Sequence, residues 1–326
     1  MFLVTGAAGF IGFNVALRLL NDGHRVLGID SINSSYDPAL KFERLHVLRR
    51  KPGFSFVEGD ITQKLAVLAT TKNAWQIDTV IHLAAQASVG ESMDDPFKCV
   101  DSNVVGFMHV LEFCRNLDVS HLIYASTSAV YGETNPLPWS TNQSVDHPVS
   151  LYAATKKADE LMANVYSNAY GLRTTGLRFF TVYGPNGRPD MAIFKFTRAL
   201  FRDEPVTLFN HGNMSRDFTY VDDIVDGILK TTTLTSLDRR CRVYNLGSGQ
   251  ATMLGDLVVM LEELTHKKGL IKLADKPVSD LQHSLADVEP MLVDFGWAPR
   301  VDIRQGLANF VQWYAQFRVL PGNEKY

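Results

Sequence analysis

The sequence predicts an α/β fold, a doubly wound parallel sheet followed by a smaller C-terminal α/β lobe. Three observations carry this prediction. Short apolar runs alternate with helix-like stretches through the first half of the chain. The first run opens onto a glycine-rich turn, and the second ends on an acid. Candidate strands are Phe2–Val4, Val26–Ile29, Phe54–Glu58, Thr79–Leu83, His121–Ala125 and Arg173–Arg178. Several are continuously apolar, as expected where helices cover both faces of a sheet. Past Phe180 the texture changes. Gly184-Pro185-Asn186-Gly187-Arg188-Pro189-Asp190 is dense in turn formers, and short helices and strands follow. The expected division is residues 1–177 for the sheet domain and 178–326 for the smaller lobe, with a helix near 217–230 returning to the first.

The glycine turn carries chemistry. After the strand Phe2–Val4 comes Thr5-Gly6-Ala7-Ala8-Gly9-Phe10-Ile11-Gly12, with glycines in a G-x-x-G-x-x-G pattern, and then a helical stretch from Asn14 to Asn21. Strand, glycine turn and helix N-terminus together hold a dinucleotide pyrophosphate. Gly6 permits the tight turn, Gly9 lets the backbone approach the phosphates, and Gly12 lets helix and strand pack closely. Asp30 closes the second strand about twenty residues on, where an acid reads a ribose 2′-hydroxyl. A 2′-phosphate would be repelled there, so NAD is expected over NADP. The sheet domain is thus expected to be Rossmann-type.

Tyr152-Ala153-Ala154-Thr155-Lys156 places Tyr and Lys four apart in a helical pattern running to about Tyr170. Such a pair lies on one helix face. An ammonium beside a phenol lowers the phenol's pKa and makes it an acid/base near neutral pH. A surface Lys beside a buried Tyr is the plainer reading of that spacing alone. Upstream, the strand His121–Ala125 runs into Ser126-Thr127-Ser128-Ala129-Val130-Tyr131-Gly132. Hydroxyls at a strand's carboxyl end could relay a proton to Tyr152.

Composition narrows the function. With 326 residues, 46% hydrophobic, 21% charged and net charge −3, the chain reads as a globular enzyme, not a nucleic-acid binder. No stretch is long and apolar enough to span a bilayer. The N-terminus enters the first strand directly, which leaves no room for a signal peptide, and the cytoplasm is the expected compartment. Cys99, Cys114 and Cys241 lack pairing or zinc-site spacing, and buried free thiols are expected. His24, His46, His109 and His211 are scattered, so no metal is expected. Trp75, Trp139, Trp297 and Trp313 are expected in packing.

Glycine loop, Asp30, hydroxyl cluster and Tyr/Lys pair, in this order, resemble the extended short-chain dehydrogenase/reductase superfamily over nearly the whole chain. Further segments match. Gly59-Asp60-Ile61 resembles the adenine-contacting segment. His82-Leu83-Ala84-Ala85-Gln86 resembles the strand end on the nicotinamide side. Asn103 looks like the family's structural Asn. Arg178-Phe179-Phe180-Thr181-Val182-Tyr183 resembles the start of the nucleotide-sugar lobe, and Arg216-Asp217-Phe218-Thr219-Tyr220 the segment whose Arg pairs with a UDP diphosphate. A surface ion pair of Arg216 with Asp217 or Asp222 is its plainer reading. The resemblance implies tightly bound NAD at Gly6, Gly9, Phe10, Ile11, Gly12, Asp30, Asp60, Ile61, Leu83, Ala84, Ala85, Gln86, Asn103, Tyr152 and Lys156. It implies a UDP-sugar at Ser88, Thr127, Ser128, Tyr152, Thr181, Arg188, Arg216 and Asp280, with Tyr152, Lys156 and Thr127 catalytic. It also implies a homodimer through helices around Phe97–Arg115 and Tyr152–Tyr170.

Ala129 discriminates among the superfamily's reactions. Decarboxylases carry Glu near this position, and 4,6-dehydratases an acid pair beside the Thr. Here Thr127-Ser128-Ala129 offers hydroxyls and no carboxyl group, which favours plain 4-epimerisation. Ser150–Ala158, Gly187–Thr197 and Tyr36–Lys41 resemble UDP-glucuronate 4-epimerases, in which Thr181 stands where galactose-type enzymes have Asn. Two departures stand out. Gly90 occupies the place of a frequent Arg, and Lys276-Pro277-Val278-Ser279-Asp280 replaces the usual Pro-Gly-Asp-Val, with Asp280 retained. Epimerisation of UDP-glucose or UDP-N-acetylglucosamine therefore stays open. A nucleotide-sugar dehydrogenase or reductase that releases its cofactor, and a non-catalytic dinucleotide sensor, are the further alternatives.

Overall fold

The computed structural model describes residues 1–63, 65, 76–233, 240–277 and 279–319. Its central sheet, among these residues, has seven parallel strands. They are β1 (Phe2–Thr5), β2 (Val26–Asp30), β3 (Phe54–Glu58), β4 (Thr79–His82), β5 (His121–Thr127), β6 (Arg173–Phe179) and, out of sequence, β10 (Cys241–Leu246). Their order is β10-β6-β5-β4-β1-β2-β3. The order reverses between β1 and β4, and an open α/β sheet binds its ligands at the carboxyl ends beside that switch. The six strands predicted from apolar runs all lie in this sheet, each within two residues of the expected ends.

The smaller lobe is built from β7 (Thr181–Tyr183), β8 (Pro205–Phe209), β9 (Ser215–Tyr220), β11 (Ala251–Met253) and β12 (Leu270–Ala274) with their helices. β11-β9-β7 form one small sheet and β12-β8 another. Phe194, Phe310 and Tyr314 anchor the lobe's core, with Phe194 and Tyr314 packed edge to face at 5.2 Å.

Apolar faces explain the layering. Helix Phe10–Asn21 buries Phe13, Val15, Ala16 and Leu19 in the same cluster as Ile224, Val225 and Ile228 of helix Val221–Thr232. Arg18 bonds Asp226 at 2.9 Å across this helix pair. The opposite sheet face is covered by Phe107, Val110 and Leu111 of helix Gly106–Asn116.

Four details differ from the sequence reading. Helix Phe10–Asn21 starts four residues earlier than expected, because Gly9 is already its extended N-cap residue. The segment from Asp217 begins as strand β9, where Phe218, Thr219 and Tyr220 favour extended backbone, and turns helical only at Val221. The helical stretch around Phe97–Arg115 is broken into Pro96–Val100, a π-turn Asp101–Val105 and Gly106–Asn116. Cys241 is only partly buried, although all three cysteines are free. Trp75 lies outside the described residues. Trp139 and Trp297 are buried, and Trp139 stacks on Tyr131 at 5.1 Å.

Candidate active site

A cleft of about 950 Å³ runs along the carboxyl ends of β1, β2, β4 and β5 and under the smaller lobe. At its floor Gly6 has φ +70°, in the left-handed region. A Cβ at Gly12 would lie 2.0 Å from the Gly6 carbonyl oxygen. The loop and the first helical turn are therefore in backbone contact, and only glycine fits between them. Among the described residues no side chain caps helix Phe10–Asn21, so its first-turn N–H groups are left for an anion. Gly12→Ala is expected to weaken cofactor retention about tenfold or more, the range for forcing atoms into a packed contact. NAD released per mole of denatured protein is the measurement.

Asp30 is oriented on both sides. Its carboxylate accepts from the Ala8 N–H at 3.0 Å and from the Ile32 N–H at 2.9 Å. The residue is buried yet lines the cleft. Asp60 and Ile61 line the same end, and Asp60 accepts from the Thr62 N–H at 2.9 Å. Leu83, Ala84, Ala85 and Gln86 form the adjoining wall. The Thr5 hydroxyl oxygen accepts from the Leu83 and Ala84 N–H groups, each at 3.2 Å. Uncapped helix, side-chain-free cradle and fixed acid fit a dinucleotide with a free ribose 2′-hydroxyl.

Asn103 stands behind this wall and not in it. It is buried, accepts from the Gln86 N–H at 2.8 Å, and donates to the Gln86 carbonyl and the Thr155 hydroxyl. Its polar atoms are engaged by protein, so it shapes the loop where direct cofactor contact was expected.

The helix that carries Tyr152 and Lys156, Leu151–Tyr170, is pinned at its start. Ser150 caps Ala153 at 3.2 Å, and the Tyr152 N–H donates to the Ser92 hydroxyl at 3.1 Å. Tyr152, Lys156, Thr127 and Ser128 all line the cleft. Thr127 ends β5 and caps the tight turn that follows, accepting from the Ala129 N–H at 3.2 Å. The Tyr152 pKa differs from the sequence reading. Burial raises it, and the Lys156 charge, the Thr127 hydrogen bond and Arg188 oppose that rise without overcoming it. Lys156 is 1% exposed and donates to Asp159 at 2.8 Å. Below it, Arg178 makes two 2.8 Å bonds to Glu160, which also accepts from Ser126 at 2.7 Å.

The far half of the cleft gathers Ser88, Thr181, Arg188, Arg216 and Asp280. Ser88 accepts from the Glu91 N–H at 3.2 Å, which leaves its own O–H to donate. Arg188 forks onto Asp190 at 3.0 and 2.7 Å. Arg216 pairs with Asp280 at 2.8 Å, not with Asp217 or Asp222. Asp217 is instead fully buried, holding the Ser248, Gly249 and Ala286 N–H groups.

Sequence reasoning missed Lys41 and Arg44. Both are buried on helix Pro38–Arg49, and Lys41 lines the cleft, donating to Asn33 at 2.7 Å. Arg44 donates to the Ala8 carbonyl at 2.9 Å and the Asn186 carbonyl at 2.8 Å, joining the glycine loop to the smaller lobe. The signal was present. Asp37-Pro38 is a helix start, and positions 41 and 44 share a face of the helix it begins.

Fold and cleft together define a dinucleotide-dependent enzyme with Tyr152 and Lys156 in its cleft. The chain belongs to the NAD dependent epimerase/dehydratase family, whose model matches residues 2–247. It is 42% identical to UDP-glucuronate 4-epimerase 3 of Arabidopsis thaliana, over 96% of this chain and 76% of that one. It is 39% identical to a probable UDP-glucuronate 4-epimerase of Rhizobium meliloti, over 97% of each. Its fold is similar to that of the Bacillus cereus UDP-glucuronic acid 4-epimerase solved with UDP-glucuronic acid and NAD. That match has a TM-score of 0.90 and 31% identity, covering 97% of this chain and 99% of the other.

Proposed function

We propose that this chain interconverts UDP-glucuronate and UDP-galacturonate by NAD-dependent 4-epimerisation. The observation that carries the proposal is a Tyr152/Lys156/Thr127 cluster that lines one cleft with the hydroxyls of Ser126 and Ser128, with Ala129 following them in place of an acid. Similarity to the Arabidopsis, Rhizobium and Bacillus enzymes supports the choice of sugar.

When bound, NAD supplies a hydride acceptor for the sugar C4 and, in its oxidised form, a positive charge that favours the Tyr152 phenolate. Tyr152 takes the 4-hydroxyl proton, directly or through the Thr127 hydroxyl. Lys156 holds the phenolate by charge. The 4-keto sugar then turns over in the site, so that the hydride is returned to the opposite face of C4 while Tyr152 gives the proton back to O4. Arg216, freed from Asp280, would fork onto the diphosphate. The two small sheets beyond 178 and their helices act as the sugar lobe, while β10 and helix Val221–Thr232 belong with the central sheet.

The 4-keto intermediate is a β-keto acid, prone to lose carbon dioxide. Hydroxyls of Thr181, Ser88 and Ser128 would hold its carboxylate where the C–C bond overlaps poorly with the ketone. Thr181→Val is expected to raise the fraction of decarboxylated pentose among the products several-fold. An unchanged product ratio by chromatography removes Thr181 from this role.

A neutral UDP-hexose is the second reading, favoured by Gly90. A Cβ there would meet nothing within 4 Å, so this part of the loop leaves open space and supplies no cation. Incubating the purified protein, without added cofactor, with each UDP-sugar separates the two. An equal-mass isomer of UDP-glucuronate supports the first reading. Turnover of UDP-glucose or UDP-N-acetylglucosamine alone supports the second.

A homodimer belongs to the same proposal. Phe97, Val105, Met108, Leu161 and Val165 are large apolar side chains exposed on the helices expected to pair. Cytoplasmic location agrees with three unpaired cysteines.

A further inference from the structure

Tyr152, Lys156 and Asp159 fall in one stripe of helix Leu151–Tyr170, and the third has no place in the mechanism above. Asp159 is fully buried and lies 2.8 Å from the Lys156 ammonium through one carboxylate oxygen. The other oxygen, Oδ1, has no hydrogen-bond partner among the described residues. A half-satisfied carboxylate in the interior is costly. The cost has one evident return, a counter-charge for an ammonium that is itself buried. Glu160, the next residue, is taken by Arg178 and Ser126, so it does not replace Asp159.

We propose that Asp159 is a positioning residue that keeps Lys156 charged and in place, and so sets the pH range in which the Tyr152–Lys156 pair works. The inference rests on the reading of Tyr152 and Lys156 as the acid–base pair. The groups around them agree with it. On the same helix, Lys156, Tyr152 and Glu160 feel the Asp159 charge or impose theirs on it. From β5 Tyr124 faces Asp159, and from helix Pro96–Val100 Cys99 does; burial raises the pKa of both, so they stay uncharged. His82 of β4 faces Lys156 and is kept neutral by burial. Asp159 is thus the anion that balances Lys156. Burial pushes its own carboxyl up to about 6, against the pull of Lys156. The 2.8 Å contact with the Lys156 ammonium favours its ionised form.

Removing a negative charge lowers the pKa of every group near it. Asp159→Asn should therefore move both limbs of the pH–rate profile to lower pH, by about one unit or more. Isomer formation by NAD-loaded protein, followed over roughly pH 5 to 10, reads this. NAD content is expected to stay at the wild-type level, and Asp159→Glu to move the profile back toward wild type. If the Asn variant does not fold, Asp159→Ala tests the same charge without an unpaired amide. A superimposable profile in a folded, NAD-loaded variant, with reduced thermal stability alone, overturns the inference and leaves the parent reading intact. A wild-type chain that forms no isomer from any UDP-sugar overturns both.

Discussion

Tyr152→Phe is expected to slow isomer formation by about 10³-fold, within the range for loss of a general acid–base group, while NAD remains bound. The phenol's hydroxyl is the only atom removed. The ring keeps its packing, and the helix start stays fixed by Ser92 and Ser150. Turnover and NAD content should therefore separate. Product analysis after incubation with UDP-glucuronate, alongside NAD released on denaturation, checks both at once. Residual activity within a few-fold of wild type would remove Tyr152 as the base.

The second large effect concerns stability. Arg178 and Glu160 are almost fully buried, joined by two parallel bonds, and Arg178 also lies 4.8 Å from the Tyr131 ring centre. Arg178→Met leaves the buried Glu160 carboxylate with the Ser126 hydroxyl and a 3.9 Å contact to the Lys157 ammonium. Breaking such a pair costs about 3–5 kcal/mol, far more than the pair contributes when both partners are replaced by apolar groups. The denaturation midpoint of Arg178→Met should fall accordingly, and that of Arg178→Met/Glu160→Leu should recover most of the loss. Equal losses in the single and double variants would mean that packing, not charge, governs this site.

The central sheet was legible because several of its strands are apolar on both faces, and the glycine loop because few residue types fit its geometry. Asp30 was legible from its distance to that loop. What escaped depends on contacts remote in sequence. β10 joins the main sheet after β7, β8 and β9 of the smaller lobe and before β11 and β12, and nothing in Cys241–Leu246 says which sheet it will enter. Arg44 is an ordinary helix cation until Asn186 folds over it. The Arg216–Asp280 pair spans two segments that periodicity cannot connect. The Tyr152 pKa was read from its Lys neighbour alone, and burial, which raises it, is a property of the folded site. Asp159 follows Lys156 by three residues, but only its complete burial gives that spacing weight.

The placement of β10 beside β6 also orders events on the ribosome. Once Phe179 has emerged, β6 can join the growing sheet, but its outer backbone groups have no partner until Cys241–Leu246 is made. At ordinary elongation rates that interval lasts several seconds. Throughout it the seven-residue strand β6, otherwise buried beneath the outermost β10, is the sheet's open edge, of the kind that recruits other chains. A transcript truncated within the smaller lobe would freeze the protein in that state, so shortened products of this gene should aggregate instead of yielding a free nucleotide-binding half.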